Sequence, residues 1–143
     1  MKKLILFTGI LFAQYLILGQ SNLIPNPSFD SIIYCPAADC QIYLAKPWFQ
    51  PLNYTGSTSG SSTSDVFDTC SNPLSVGIPT NEWGFQYTRT GKGYAGICLN
   101  FDTMNYREYI EVPLLSALLA GQTYCISFYV SRAEISKEAT SNM

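Results

Sequence analysis

Beyond the first nineteen residues no stretch of this chain carries a helical period. Short runs of β-branched and aromatic residues are instead cut by Gly, Pro and Asn about every ten residues. Runs this short bury an apolar face only by pairing and packing on one another, so the expected fold is all-β, an antiparallel sandwich. Phe29 to Tyr34 is a short candidate strand, ended by Cys35 and Pro36. WGFQYTR from Trp83, GYAGICLNF from Gly93 and the alternating run from Tyr106 to Pro113 are three more. TYCISFYVSRA, opening at Thr123 after the LLAGQ turn, has the strongest strand pattern. The small polar stretch TGSTSGSSTSD, Thr55 to Asp65, reads as a loop of the same domain.

The start of the chain has another purpose. Lys2 and Lys3 precede an apolar run from Leu4 to Leu18, followed by Gly19 and Gln20. This is the layout of a secretory signal peptide over residues 1–19. As a helix the run would span about 22 Å, short of a hydrocarbon core of about 30 Å. Residues 20–143 then form one module, exported to the cell surface or beyond. Without Lys2 and Lys3, six basic residues face ten acidic ones, a formal charge of −4. With no basic run, nucleic acid is excluded as an expected partner.

Export permits disulfides, and the five cysteines at 35, 40, 70, 98 and 125 are an odd number. Strand parity puts Tyr124, Ile126, Phe128 and Val130 on an inward face and Cys125 on the other, with Cys98 also outward if Ala95, Ile97 and Leu99 point in. Cys98 and Cys125 can bridge if their strands are neighbours, and Cys35 with Cys40 or Cys70 are the alternatives.

Several motifs resemble a known family. NLIPNPSFD from Asn22, RTGKGYAGICL from Arg89 and YREYIEVPLLSALLAGQTYCISFYVSRAE from Tyr106 are similar to carbohydrate-binding modules of the family 4/9 jelly-roll, galactose-binding-like type. SDVFDTCSN, VGIPTNEWGFQY and NYREYIEV resemble an N-terminal domain of secreted or outer-membrane proteins of Bacteroidota, where it often precedes an OmpA-like or a gliding-motility-type sorting domain. The resemblance implies a jelly roll whose later strands are absent here, since the chain stops at Met143 in the polar stretch SKEATSNM. The expectation is a partial chain, with Tyr124 to Val130 left uncovered on one edge and further C-terminal domains of the same protein as partners. The resemblance also implies one structural Ca²⁺ near the first strand, with Asp30 as the ligand that carries over.

Chemistry is expected to be binding rather than catalysis. The chain has no histidine, which removes the usual general base. Glu108 and Glu111 fall on opposite faces of a strand, and Asp65 and Asp68 border a loop, where solvated carboxylates are the default. Sugar recognition needs an aromatic platform and planar polar groups. With Ile110 and Val112 inward, Arg107, Tyr109 and Glu111 share the outer face as donor, ring and acceptor. Trp48, Trp83, Phe85 and Tyr87 are further platform candidates, although aromatic residues in a sandwich more often form core. The leading expectation is a glycan-binding module whose partner is a polysaccharide or cell-surface glycan. A structural or adhesive spacer of an envelope protein is the alternative, and a glycoside hydrolase fragment comes third.

Overall fold

A computed structural model describes residues 21–51, 63–99 and 107–137. The signal-peptide segment, most of the Thr55–Asp65 loop and the start of the Tyr106 run lie outside the described residues. Among the described residues four short strands appear: β1 (Asp65–Asp68), β2 (Thr80–Asn81), β3 (Gly84–Phe85) and β4 (Gly93–Gly96). β1 pairs antiparallel with β4, and β2 with β3, giving two small sheets and a mainly-β fold.

The core is built where β1 meets a single 3₁₀ turn at Ile42–Leu44. The Ile42 N–H donates to the Ser64 carbonyl at 3.0 Å, which lays the turn against the start of β1. Ile42 and Leu44 are buried while Tyr43 between them faces out. Val66 is fully buried opposite Ala95, and Ile42, Leu44, Ala45 and Val66 form one cluster ringed by Phe29, Ile32, Trp48, Ala95 and Ile110. Each of the three larger aliphatic side chains contributes roughly 1.5–3 kcal/mol by leaving water. On the other face of β1, Phe67 stacks on its cross-strand partner Tyr94 with ring centroids 4.8 Å apart.

The opening motif is a turn, which corrects the expected strand from Phe29. Asn26 and Phe29 hold left-handed backbone angles, φ 45° and 59°, and the Phe29 N–H closes back on the Asn26 carbonyl at 3.2 Å. Asn tolerates that region because its short amide bonds locally. Here the Asn26 amide donates to the Ser31 and Lys46 carbonyls at 2.9 and 3.0 Å and accepts the Ser31 N–H at 3.0 Å. Its own carbonyl takes the Trp48 indole N–H at 2.8 Å. Through these bonds the first segment is fastened to residues 45–48, and the Phe29 ring sits 4.7 Å from that of Trp48.

Other strands are shorter than expected. Among the described residues, WGFQYTR contributes Gly84–Phe85 to a strand and GYAGICLNF contributes Gly93–Gly96. The strongest pattern, TYCISFYVSRA, pairs with no strand among the described residues: Gln122 to Ala133 follow a course without turns or bends. Ile126, Phe128 and Val130 are 83, 67 and 66% exposed, so the inward face expected for them is not formed. Apolar alternation buries a face only when a second layer lies against it. The core has formed around β1 and the 3₁₀ turn, and no described strand covers this segment.

Cys35 and Cys70 form a disulfide with Cα atoms 5.8 Å apart, whereas the bridge between Cys98 and Cys125 is not formed. A disulfide in a structural loop suits an oxidising, extracytoplasmic setting. Among the described residues no helix is long and apolar enough to cross a membrane.

Candidate functional site

Three segments converge beside the core to present one outward face. Phe49 and Glu111 exchange backbone hydrogen bonds of 3.0 and 2.8 Å in an antiparallel bridge. Directly opposed residues in such a bridge project to the same side. Phe49 and Glu111 are both exposed, and Tyr109, two residues earlier and 44% exposed, shares their side with exposed Arg107. The alternate residues go the other way: Gln50 and Glu108 are buried, and Ile110 packs on the core.

Polar bonds behind the face hold it in place. The Gln50 side-chain oxygen accepts the Thr63 and Ser64 N–H groups at 2.8 and 2.9 Å and the Ser64 hydroxyl at 2.9 Å. Ser64 Oγ also lies 3.2 Å from the Tyr109 carbonyl, joining residues 49–50, 63–64 and 109–111. Glu108 is fixed from the rear, its Oε2 accepting the Cys98 N–H at 2.7 Å. The result is two rings, a guanidinium and a carboxylate on one exposed surface.

The remaining aromatic candidates separate. Trp48 is half-buried, with its ring against Phe29 and its N–H spent on Asn26, so its place is in the core wall. Trp83 is also half-buried, and its indole nitrogen is enclosed without a hydrogen-bond partner. Phe85 and Tyr87 form an exposed edge-to-face pair at 5.2 Å. Nearby along the chain, Arg89 lies 4.3 Å over the Tyr129 ring. Neither Phe49 nor Tyr129 stands out in the sequence, because each takes its role from a contact with a distant segment.

The carboxylates of β1 correct a second expectation. Asp65 and Asp68 are not solvated but 8% and 1% exposed. Each has been drawn in by loop donors: Asp65 Oδ1 accepts the Cys40 N–H at 2.6 Å, and Asp68 Oδ1 the Cys70 N–H at 2.8 Å. Burial pushes the Asp65 carboxyl up to about 7 against the opposing pull of that N–H, and the charge of Glu108 adds to the rise. Being three apart on a strand, Asp65 and Asp68 serve opposite sides.

Asp30 is engaged by donors. Its Oδ1 accepts the backbone N–H groups of Lys92 and Gly93 at 2.5 and 3.0 Å, and its Oδ2 the Ser28 hydroxyl at 2.7 Å. Burial raises its pKa, but the Lys92 N–H, the Ser28 hydroxyl, the Gly93 N–H and the Lys92 charge together hold it below the ordinary value. Gly91, at φ +67°, lets the loop approach, since a Cβ there would stand 1.9 Å from Asp30 Oδ2. Three hydrogen donors thus meet the Asp30 carboxylate, and among the described residues no group of three or more acidic, Cys or His side chains is gathered.

Comparison with family models, with curated proteins and with solved structures gives no match for this chain.

Proposed function

We propose that the protein is an exported, non-catalytic glycan-binding module of jelly-roll type, working as part of a larger envelope protein. One observation carries the reading: Phe49, Tyr109, Arg107 and Glu111 share an exposed face held by a bonded scaffold. A ring on such a face offers an apolar plane to the C–H side of a pyranose, and the guanidinium and carboxylate beside it offer donors and acceptors to the hydroxyls. The resemblance of the opening and closing motifs to family 4/9 carbohydrate-binding modules points the same way.

Affinity electrophoresis through gels of different polysaccharides tests this. Losing one stacked ring forfeits about 1 kcal/mol beyond lost area, so Tyr109→Ala or Phe49→Ala is expected to weaken retention by about fivefold or more. Arg107→Ala should do likewise, while Tyr87→Ala should leave it unchanged. Retention by no polysaccharide in a broad panel, from protein with its Cys35–Cys70 disulfide intact, would refute the proposal. A structural or adhesive envelope role is the second reading, favoured by the exposed apolar residues Leu115, Leu118, Leu119 and Ile126.

A further inference from the structure

Behind the face of Phe49, Arg107, Tyr109 and Glu111 lie two buried carboxylates. Asp65 on β1 is 8% and Glu108 6% exposed, and each accepts a backbone N–H, from Cys40 at 2.6 Å and from Cys98 at 2.7 Å. The register of β1 with β4 brings them near one another. Asp65 opposes Gly96, and two residues further on Cys98 grips Glu108 a second time, its carbonyl taking the Glu108 N–H at 2.8 Å. The charge of Glu108 reaches Asp65 from there. Asp39 acts on Asp65 from the 35–40 loop and Glu82 from the turn between β2 and β3, and the neighbouring Cys40 thiol is pushed up by burial and then by these same carboxylates.

We propose that Asp65 and Glu108 make this face pH-dependent: with Asp65 neutral, Glu108 stays clamped on Cys98 and positions Arg107 and Tyr109, and ionisation of Asp65 drives Glu108 off and loosens them, a regulation that rests on the glycan reading of the face. Two like charges in a buried setting repel far more strongly than in water. Glu108 is the one that yields. Asp65 is built into the β1–β4 ladder beside Val66 of the core, whereas residues 107–111 are held to the sheet through the Cys98–Glu108 pair, the Phe49–Glu111 bridge and the contact of Ser64 with Tyr109. Arg107 and Tyr109 flank Glu108 in the chain, so its displacement turns both. Burial, opposed by the Cys40 N–H and aided by the charges of Glu108, Asp39 and Glu82, keeps the proton on Asp65 up to about 7, which places the change near neutral pH. The chain has no histidine to respond there by another route.

Amide hydrogen exchange tests the clamp without any ligand, on the chain from Gln20 onward at about pH 5.5 and about pH 8.5, each rate referred to Asp65→Asn at the same pH to cancel the intrinsic effect of pH. Residues 107–111 and Phe49 should exchange alike in both proteins at the lower pH. At the higher pH the parent should exchange there about tenfold faster, the equivalent of one pH unit of coupling, and well ahead of Ile42 and Val66 in the core. Glu108→Gln keeps an oxygen for the Cys98 N–H without a charge, so it should abolish the acceleration although Asp65 still ionises. Glu82→Gln removes the other carboxyl held up to about 7 and should leave the acceleration in place. On a polysaccharide that the protein binds, retention should fall several-fold from the lower to the higher pH in the parent and stay level in Asp65→Asn. Retention by no polysaccharide at either pH sinks the glycan reading and leaves exchange to decide the clamp. Acceleration that survives Glu108→Gln, opening of residues 107–111 only together with Ile42 and Val66, or retention that is the same at both pH values overturns the proposal.

Discussion

Replacing Asp65 by Asn tests whether the carboxylate drawn into the core governs the response of this fold to pH. In the folded chain burial holds the Asp65 proton up to about 7, against an ordinary value of 3.8. Between those two values the folded state keeps a proton that the unfolded chain has released. The contribution of Asp65 to stability is therefore greatest below pH 3.8, falls as pH rises through the window, and levels off above about 7, where both states are ionised. The gap, at 1.36 kcal/mol for each pH unit, amounts to an order-of-magnitude loss of about 4 kcal/mol. Asn retains an oxygen for the Cys40 N–H and has no charge to desolvate. It forfeits the charge-assisted part of that bond, about 1 kcal/mol, so at pH 8 the variant should be more stable than the parent by about 2–3 kcal/mol. Urea unfolding of both proteins at intervals from pH 4 to 8, disulfide intact, gives two stability profiles. Their difference isolates Asp65, because Glu82, whose hydrogen bond with Asp39 pushes it up to about 7, titrates in both. Parallel profiles across the window would refute the reasoning.

Two further outcomes concern the opening motif. Asn26→Ala removes an amide NH2 that meets the Ser31, Lys46 and Ala45 carbonyls and an oxygen that accepts the Ser31 N–H, and leaves Ala in a left-handed conformation. A loss of roughly 3 kcal/mol is expected in denaturant unfolding, with a shift in Trp48 emission because the indole N–H rests on the Asn26 carbonyl. Asp30→Asn weakens the tie to Lys92 and Gly93 by about 1 kcal/mol at pH 7, a figure reduced by solvent screening. Because the folded pKa of Asp30 is depressed, its contribution is complete above 3.8 and disappears as pH falls through the lower folded value, so parent and variant should converge in acid.

Local chemistry made parts of this molecule legible. The period-two alternation from Arg107 to Val112 separates Arg107, Tyr109 and Glu111, all exposed, from Glu108 and Ile110. Turn residues were equally informative at Gly91 and Gly93, which bracket the loop that Asp30 fastens. The same signals misled where a partner was required. Prolines around Asn26 suited an edge strand, yet the amide of Asn26 found carbonyls about twenty residues away and turned the chain instead. TYCISFYVSRA has the alternation of a buried strand, but burial is a property of two surfaces and the sequence describes one.

What the sequence by itself determined is therefore the class of structure: short strands, frequent turns, and the side of each residue on an alternating run. These follow from steric and hydrogen-bonding preferences that act over a few residues. Only the tertiary structure decided that Cys35 pairs with Cys70, that Phe49 joins Tyr109 and Glu111, and that Asp65 loses its water to a Cys40 N–H across 25 residues. Each of those depends on which distant segments meet, and that is set by the small core at Ile42, Leu44 and Val66, around which the loops close.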